Sequence, residues 1–275
     1  MKRFYFFLAL ALLGMVSCQQ QPKDCLAVMS FNIRNSAAAD GDNCWENRRE
    51  AVAVMLDSLA PAIVGMQEVL PDQEAFLNER CPQYRSFGIG RNDGENGERM
   101  TVFYNSDMLE FQDGGTWWLS ETPDVPSVGW DAKYPRTATW VLMKDLNHKR
   151  EFYFVNTHLD HRGVEARRNG LSLVVSKIRE MNPDIPMVLV GDFNVEPGDP
   201  ALSALDGLML DARTTAAVTE PTHSFNGYNA ERHKTIDYIY FSGFSSAAEF
   251  HVITDSFNDA PFISDHYPVT ASLVY

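Results

Sequence analysis

Short apolar runs, each closing on one or two polar residues, recur along the whole chain. Leu26–Phe31 ends in Asn32 within MSFNIR, Ala62–Met66 ends in Gln67 and Glu68 within IVGMQEV, and Phe152–Val155 leads into Asn156 and His158 within FVNTHLDH. Ile185–Val190, entered through Pro183 and Pro186, closes on Gly191, Asp192 and Asn194 within VLVGDFNVEP. Runs of this length bounded by turn residues predict buried strands. Asp237 lies inside a further strand, TIDYIYF, and Asp265 and His266 precede a C-terminal one in ISDHYPV. Met108–Leu119, Arg136–Leu146 and Glu151–Leu159 read as consecutive antiparallel strands, with Lys144–Arg150 as the polar turn between the last two. Helical spacing appears at Trp45–Leu59, where Ala51, Val52, Met55, Leu56 and Leu59 share a face, and again at Val164–Met181. Pro71–Arg80 is a shorter helix that starts on proline, where the missing N–H costs nothing.

No Pro/Ser linker, repeat or low-complexity tract divides residues 26–275, so one α/β domain is expected there. Side chains two apart in an extended chain point the same way, which puts Asp192 and Asn194 on one face. Gly-Asp and Asn-x-x-Pro-Gly are also ordinary turn chemistry, but polar residues at a strand boundary recur in the other segments. A carboxylate at the edge of an apolar core is costly to desolvate unless something pairs with it. If these strands share one sheet or two packed sheets, their polar ends meet on one edge in a site of oxygen ligands with a few imidazoles. Such donors suit Mg²⁺, Mn²⁺ or Ca²⁺. No Cys-x-x-Cys or His-Glu-x-x-His spacing supports a dedicated zinc site. A hard cation beside histidines and spare carboxylates suits phosphoester hydrolysis: the metal neutralises phosphate charge, a carboxylate orients water and a cationic His stabilises equatorial oxygens.

Taken in order, SFNIR, GMQEV, NTHLDH, GDFN, IDYI and SDHYP resemble the endonuclease/exonuclease/phosphatase superfamily over essentially all of residues 26–275. The resemblance implies an α/β (α+β) fold, a four-layer αββα sandwich of two packed mixed β-sheets flanked by helices. It also implies Mg²⁺-dependent hydrolysis, with Mn²⁺ as a substitute and with one ion or two. Asn32 and Glu68 would then be metal-site residues, Glu68 the principal ligand, with Asp265 beside the ion. Asp192 would orient or activate the attacking water, and Asn194 would help hold water and phosphate. His158 would contact the phosphate. Asp237 would orient His266, which would contact the scissile phosphate or transfer a proton. Asn156, Glu98, His161 and Arg167 are candidates for touching substrate or supporting residues that do. His161 is equally readable as a loop-surface histidine, and Glu98 as part of a flexible turn.

Within the superfamily, Gly97-Glu98, Trp117–Asp124, Gly129–Ala132 and Arg136 with Thr139-Trp140 resemble a group of secreted bacterial members. Trp117, Trp118 and Trp130 read either as a stacking rim or as residues divided between core and surface. His223 and His233 flank a Gly- and Asn-rich loop that is a natural place for specificity.

The formal net charge of −14 disfavours nucleic acid, whose phosphates draw basic surfaces. Arg48 with Arg49, Arg85 with Arg91, and Arg162 with Arg167 and Arg168 are the local basic clusters that could override the total. Residues 1–17 read as a secretory signal of the lipoprotein type: Lys2 and Arg3, an apolar stretch Phe4–Leu13, then small residues before Cys18. Cys18 would be lipidated, and residues 18–25 would tether the domain outside the cytoplasm, in the periplasm or at the cell surface. Cys25, Cys44 and Cys81 allow one bridge at most, and none stands in a catalytic motif. The expected protein is a monomeric, membrane-anchored phosphodiesterase or phosphatase for a small-molecule, sugar-phosphate or lipid-headgroup substrate. The alternatives are a metal-dependent nuclease and a non-catalytic binding lipoprotein.

Overall fold

A computed structural model describes residues 24–219 and 222–275. The signal at 1–17, Cys18 and nearly all of the tether lie outside the described residues. Strand β1 (Cys25–Asn32) is followed by α1 (Trp45–Leu59), β2 (Ile63–Val69), α2 (Pro71–Arg80), β3 (Tyr84–Phe87) and β4 (Arg99–Asn105). Then come β5 (Leu109–Trp118), β6 (Thr137–Asp145), β7 (Arg150–His158), α3 (Val164–Glu180) and β8 (Met187–Asp192). The C-terminal part holds β9 (Leu210–Asp211), α4 (Ala212–Thr215), β10 (Val218–Thr219), β11 (Asp237–Ser242), β12 (Ser246–Val252) and β13 (Val269–Val274). The expected helices and strands appear within a residue or two of their anticipated ends. Cys25 opens β1 opposite Val274. Among the described residues no helix is long and apolar enough to cross a membrane, and Cys25, Cys44 and Cys81 are all free.

Two mixed sheets form, one of seven strands in the order β10-β12-β13-β1-β2-β4-β3 and one of six in the order β5-β6-β7-β8-β11-β9. Period-two alternation divides each central strand between two apolar layers. Val28, Ile63, Val102, Phe154, Val190 and Ile239 fill the space between the sheets. Met29, Phe31, Val64 and Met66 turn outward onto Val52, Met55 and Leu56 of α1 and Leu77 of α2. Val155 and Leu189 turn outward from the other sheet onto Leu171, Val174 and Ile178 of α3. Three apolar layers separate four structural layers, which is the αββα sandwich.

Towards one end the inter-sheet layer changes from apolar to polar. Gln67 Nε2 donates to Asn156 Oδ1 at 2.8 Å and to Ser30 Oγ at 3.2 Å. Asn156 Nδ2 donates to the Met66 and Thr101 carbonyls at 2.8 and 3.1 Å. This network bridges the sheets where Gly65 lets them approach. A Cβ at Gly65 would lie 2.4 Å from Val190 Cγ2 and 2.9 Å from Asn156 Cγ. Asn156 is thus an internal strut with its amide fully engaged, and not a substrate contact.

The GWDA segment also has a structural explanation. Gly129 packs on the Leu119 carbonyl, which a Cβ would approach to 2.3 Å. Asp131 then accepts the α3 amides of Ala166 and Glu165 at 2.7 and 3.3 Å, capping that helix from a distant loop. Trp117 stacks on Trp140 at 6.0 Å on the outer face. Trp130 packs against the same outer cluster, and Trp118 is buried. The tryptophans are packing and anchoring residues, and they form no rim. Replacing Gly65 with Ala should force the sheets apart and destabilise the domain by ~1–3 kcal/mol. A lowered midpoint in urea denaturation checks this, and an unchanged midpoint would show that the gap is not tight.

Candidate active site

The register of the six-stranded sheet assembles half of the site. His158 at the end of β7 lies directly opposite Asp192 at the end of β8, and Asp192 lies opposite Asp237 at the start of β11. Opposed residues on paired strands share a face. Counting by twos from Phe154, Val190 and Ile239 shows that this face points between the sheets. The seven-stranded sheet supplies the other half. Asn32 ends β1 with its side chain on the same inner face as Val28. Glu68 would turn outward by simple alternation, next to Gln67, which faces in. A bulge between Met66 and Val69, with Glu68 in the left-handed region at φ 64°, re-aims its carboxylate to the site.

Asp192 is the hub. Its Oδ2 receives Asn32 Nδ2 at 3.0 Å and lies 3.4 Å from His158 Nε2 and 3.7 Å from His266 Nε2. Its Oδ1 receives the Asn194 amide at 3.0 Å. Asn194, in the left-handed region at φ 53°, donates through Nδ2 to the Leu159 carbonyl at 3.1 Å. His266 comes from the loop before β13, where its Nδ1 meets both oxygens of Asp237 at 3.1 and 2.9 Å. Ser224 Oγ accepts the Asp237 amide at 3.1 Å, and the Phe225 ring meets the His266 ring edge-on at 5.0 Å. The loop beside His223 therefore braces the imidazole from behind. His223 and His233 themselves are exposed, their rings tilted against each other at 4.9 Å.

The charge states follow from burial and neighbours. Burial, and then the charge of Asp237, push the Asp192 carboxyl up to about 7, against the opposing pull of His266. Burial disfavours the His266 cation, but the carboxylates of Asp237 and Asp192 outweigh it and raise the group to about 10. His158 is held neutral, well below its ordinary range, by burial and then by the charges of Arg136 and Arg91. Burial also resists ionisation of Glu68, yet its contacts with Asn32, Arg34 and Asn35 more than compensate. Asn32 Nδ2 reaches Glu68 Oε1 at 3.2 Å, and Asn35 Nδ2 reaches Oε2 at 2.9 Å.

Glu68, Asn32 and Asp265 offer carboxylate and amide oxygens of the kind a hard cation takes. Burial raises the carboxyl of Asp265 against the pull of His266, and burial followed by the charge of Glu68 raises that of Glu98, which is paired with Arg91. Asp192, Asp237 and His266 also bring one ligand atom each within 4.8 Å of one another. Asp237, however, directs both oxygens at His266 Nδ1, so that trio is internally compensated. Glu68 with Asn32 and Asp265 is the better cation edge.

Other anticipated contacts fall elsewhere. Arg167 donates to the Asp160 carbonyl at 3.0 Å and braces the loop after β7 rather than pointing at the site. Arg48 is 2% exposed and ties the carbonyls of Asn43, Ile33, Ile263 and Arg34 together, in contrast to the solvated face its helix position suggests. Arg85 bonds the carbonyls of Pro82 and Tyr84, and Arg168 pairs with Glu165. The arginine clusters form no continuous track. His161 is exposed, and its Nδ1 lies 2.8 Å from an Arg136 nitrogen. Glu98 pairs with Arg91. Arg34 was not singled out from sequence, although it sits within SFNIR. It pairs with Asp40 at 2.9 Å and reaches Asp265 at 3.8 Å.

The family model for Endonuclease/Exonuclease/phosphatase matches residues 29–266, which span every strand end described above. The chain belongs to this family. Members of the family are hydrolases of phosphoester bonds and characteristically use a divalent metal. A mannosyl-6-phosphatase of Bacteroides thetaiotaomicron is 33% identical, covering 91% of this chain and 100% of that one, with a TM-score of 0.87. An endonuclease/exonuclease/phosphatase from Bacteroides vulgatus is 36% identical, covering 90% of this chain and 98% of that one, with a TM-score of 0.84. An uncharacterized protein of Acanthamoeba polyphaga mimivirus is 29% identical over 167 residues, which are 55% of this chain and only 60% of that protein.

Asp237→Asn should remove the carboxylate charge that holds His266 protonated and move its titration downward from about 10. Ring-resolved NMR titration of His266 in the folded variant checks this. An unmoved His266 would mean that Asp237 does not control its charge.

Proposed function

We propose that the chain is an extracytoplasmic, Mg²⁺-dependent phosphatase of sugar phosphates, held at a membrane through a lipidated Cys18. The observation that carries the reading is the desolvated Asp192, contacted by two amides and two imidazoles from both sheets and set beside an oxygen-rich cation edge. The 33% identical mannosyl-6-phosphatase, matched along its full length, supports a sugar phosphate as the substrate class. An open cleft of about 390 Å³ adjoining Asn194 has room for a polar leaving group, with His161, Glu196, Asp199 and Lys234 among its walls. The lack of a continuous arginine track and the net charge of −14 speak against a nuclease.

In this reading Asp192 accepts a proton from the water whose oxygen attacks phosphorus, and Asn194 fixes the angle of the carboxylate. With a carboxyl pushed up to about 7, Asp192 is a stronger base than an exposed aspartate and remains largely ionised just above neutrality. His266, kept cationic by Asp237, stabilises the charge that develops on the equatorial oxygens. Neutral His158 hydrogen-bonds the phosphate from the opposite side of Asp192. The leaving sugar oxygen departs into the open cleft, where water protonates it. Asn32, Glu68 and Asp265 would hold Mg²⁺, whose charge would offset that of the phosphate.

The purified chain should hydrolyse hexose 6-phosphates in Mg²⁺ and lose that activity in EDTA. Asp192→Ala and His266→Ala should each reduce turnover by about two orders of magnitude or more. Wild-type rates in folded Asp192→Ala would remove it from the chemistry. Glu68→Gln should raise the Mg²⁺ concentration needed for half-maximal activity, and an unchanged titration would take Glu68 out of the cation edge. Cys18→Ser should abolish incorporation of labelled palmitate in cells. Continued labelling would refute the anchor without touching the catalytic reading.

A further inference from the structure

Two guanidinium groups beside His158 have no part in the chemistry above. Arg136 immediately precedes β6 and is 5% exposed. Its Nε meets Asp160 Oδ2 at 3.3 Å and its Nη2 meets His161 Nδ1 at 2.8 Å, while its buried Nη1 has no partner. Asp160 is itself fixed by the amides of Arg162 and Gly163 at 2.8 and 2.7 Å, so the guanidinium sits on a rigid mount. Arg91 donates through Nη1 to Glu98, and its buried Nε is also unpartnered. Its carbonyl is pinned by Trp118 Nε1 at 2.7 Å, and its guanidinium lies 5.5 Å from the Tyr134 ring.

Arg48 shows what a purely structural buried arginine looks like in this protein: all three of its nitrogens are bonded to carbonyls. Arg136 and Arg91, like Arg99 and Arg213, hold a buried nitrogen without a partner, and of these four they are the two whose charge reaches His158. Unpaired buried donors are expensive and call for a reason. The β6–β7 register pairs Ala138 with Thr157, which brings the Arg136 end of β6 beside the His158 end of β7. Both positive charges are felt at His158 and at Glu98. In a chain of net charge −14, a pair of cations at this one edge does not follow from composition.

We propose that Arg136 and Arg91 form the subsite for a terminal, non-bridging phosphate oxygen and thereby make the enzyme prefer phosphomonoesters to diesters, an inference that rests on the phosphatase reading. A monoester has three non-bridging oxygens and up to two negative charges, whereas a diester has two such oxygens and one charge. The cation edge serves one oxygen, and His266 with His158 a second. The third is unique to the monoester and meets donors whose planar geometry suits phosphate. In a diester the oxygen at that position carries a carbon substituent and no charge, so it answers the unpartnered Nη1 of Arg136 and Nε of Arg91 poorly.

The test compares kcat/KM for p-nitrophenyl phosphate and bis-p-nitrophenyl phosphate, and inhibition by inorganic phosphate, in the full chain with Mg²⁺. Wild type, Arg91→Met and Arg136→Lys are assayed after their thermal melts confirm folding. Arg136→Lys keeps the charge and a donor for Asp160, and Arg91→Met alters the less buried of the two groups. Each folded variant should lose about tenfold or more on the monoester, change by less than about threefold on the diester, and require about tenfold more phosphate for inhibition. Equal losses on both esters, or undiminished phosphate inhibition, in either folded variant overturn the assignment. A wild type that hydrolyses neither monoesters nor hexose phosphates overturns the phosphatase reading itself. A wild-type monoesterase whose arginine variants behave normally overturns only the subsite.

Discussion

A carboxylate taken out of water at the rim of an apolar layer sets the terms for everything around it. Asp192 is 2% exposed, and an ionised carboxylate so placed is strongly destabilising unless its oxygens are met. They are met from several directions: Asn32 from the opposite sheet, the Asn194 amide from its own turn, His158 from the neighbouring strand and His266 from the last loop. The contacts of Asn32 and His266, which come from the opposite sheet, do not survive a displacement of one sheet against the other. The close approach at Gly65, the bulge that turns Glu68 and the packing of Gly191 on the Thr157 carbonyl all serve to hold these partners in place. The carboxylate is stabilised enough to exist and exposed to enough opposing charge to remain a useful base.

The electrostatics are local in the same sense. The overall acidity of the chain says little about what the site attracts, because its cations are few and concentrated. His266 borrows its charge from two buried aspartates, whereas His158 is denied one by burial and then by two arginines. Two imidazoles beside one carboxylate thus carry different charges, and the difference comes from the second neighbour of each ring.

Much of this was legible in the sequence because polar residues at the ends of apolar runs have little freedom. Asn32, His158, Asp192 and Asp237 each lie where a strand of the expected length stops or starts, and pairing brings them together. The sequence leaves Asn156 between touching substrate and supporting residues that do, because alternation cannot express depth: it shares a face with His158, but two residues further in that face lies between the sheets. Glu68 was legible through its motif alone, since its direction depends on a bulge set by pairing with β4. In sequence Arg91 groups with Arg85 and Arg136 with Thr139-Trp140, and the fold alone makes the two arginines neighbours. Strands β3 and β12 went unanticipated: both mix polar with apolar positions, and their pairing partners specify them more than their own composition does.

The polar bridge of Ser30, Gln67 and Asn156 beneath the site bears on how the protein becomes active. Asn32 and Glu68 belong to one sheet, and His158, Asp192 and Asp237 to the other. Either sheet formed alone carries half a reaction centre. Stacked out of register, the pair would strand the amides of Gln67 and Asn156 in an oily seam, a penalty that drives such misfits apart. Catalytic competence therefore arrives in one step, at the moment of correct docking, and a partly folded intermediate cannot hydrolyse phosphoesters before that point.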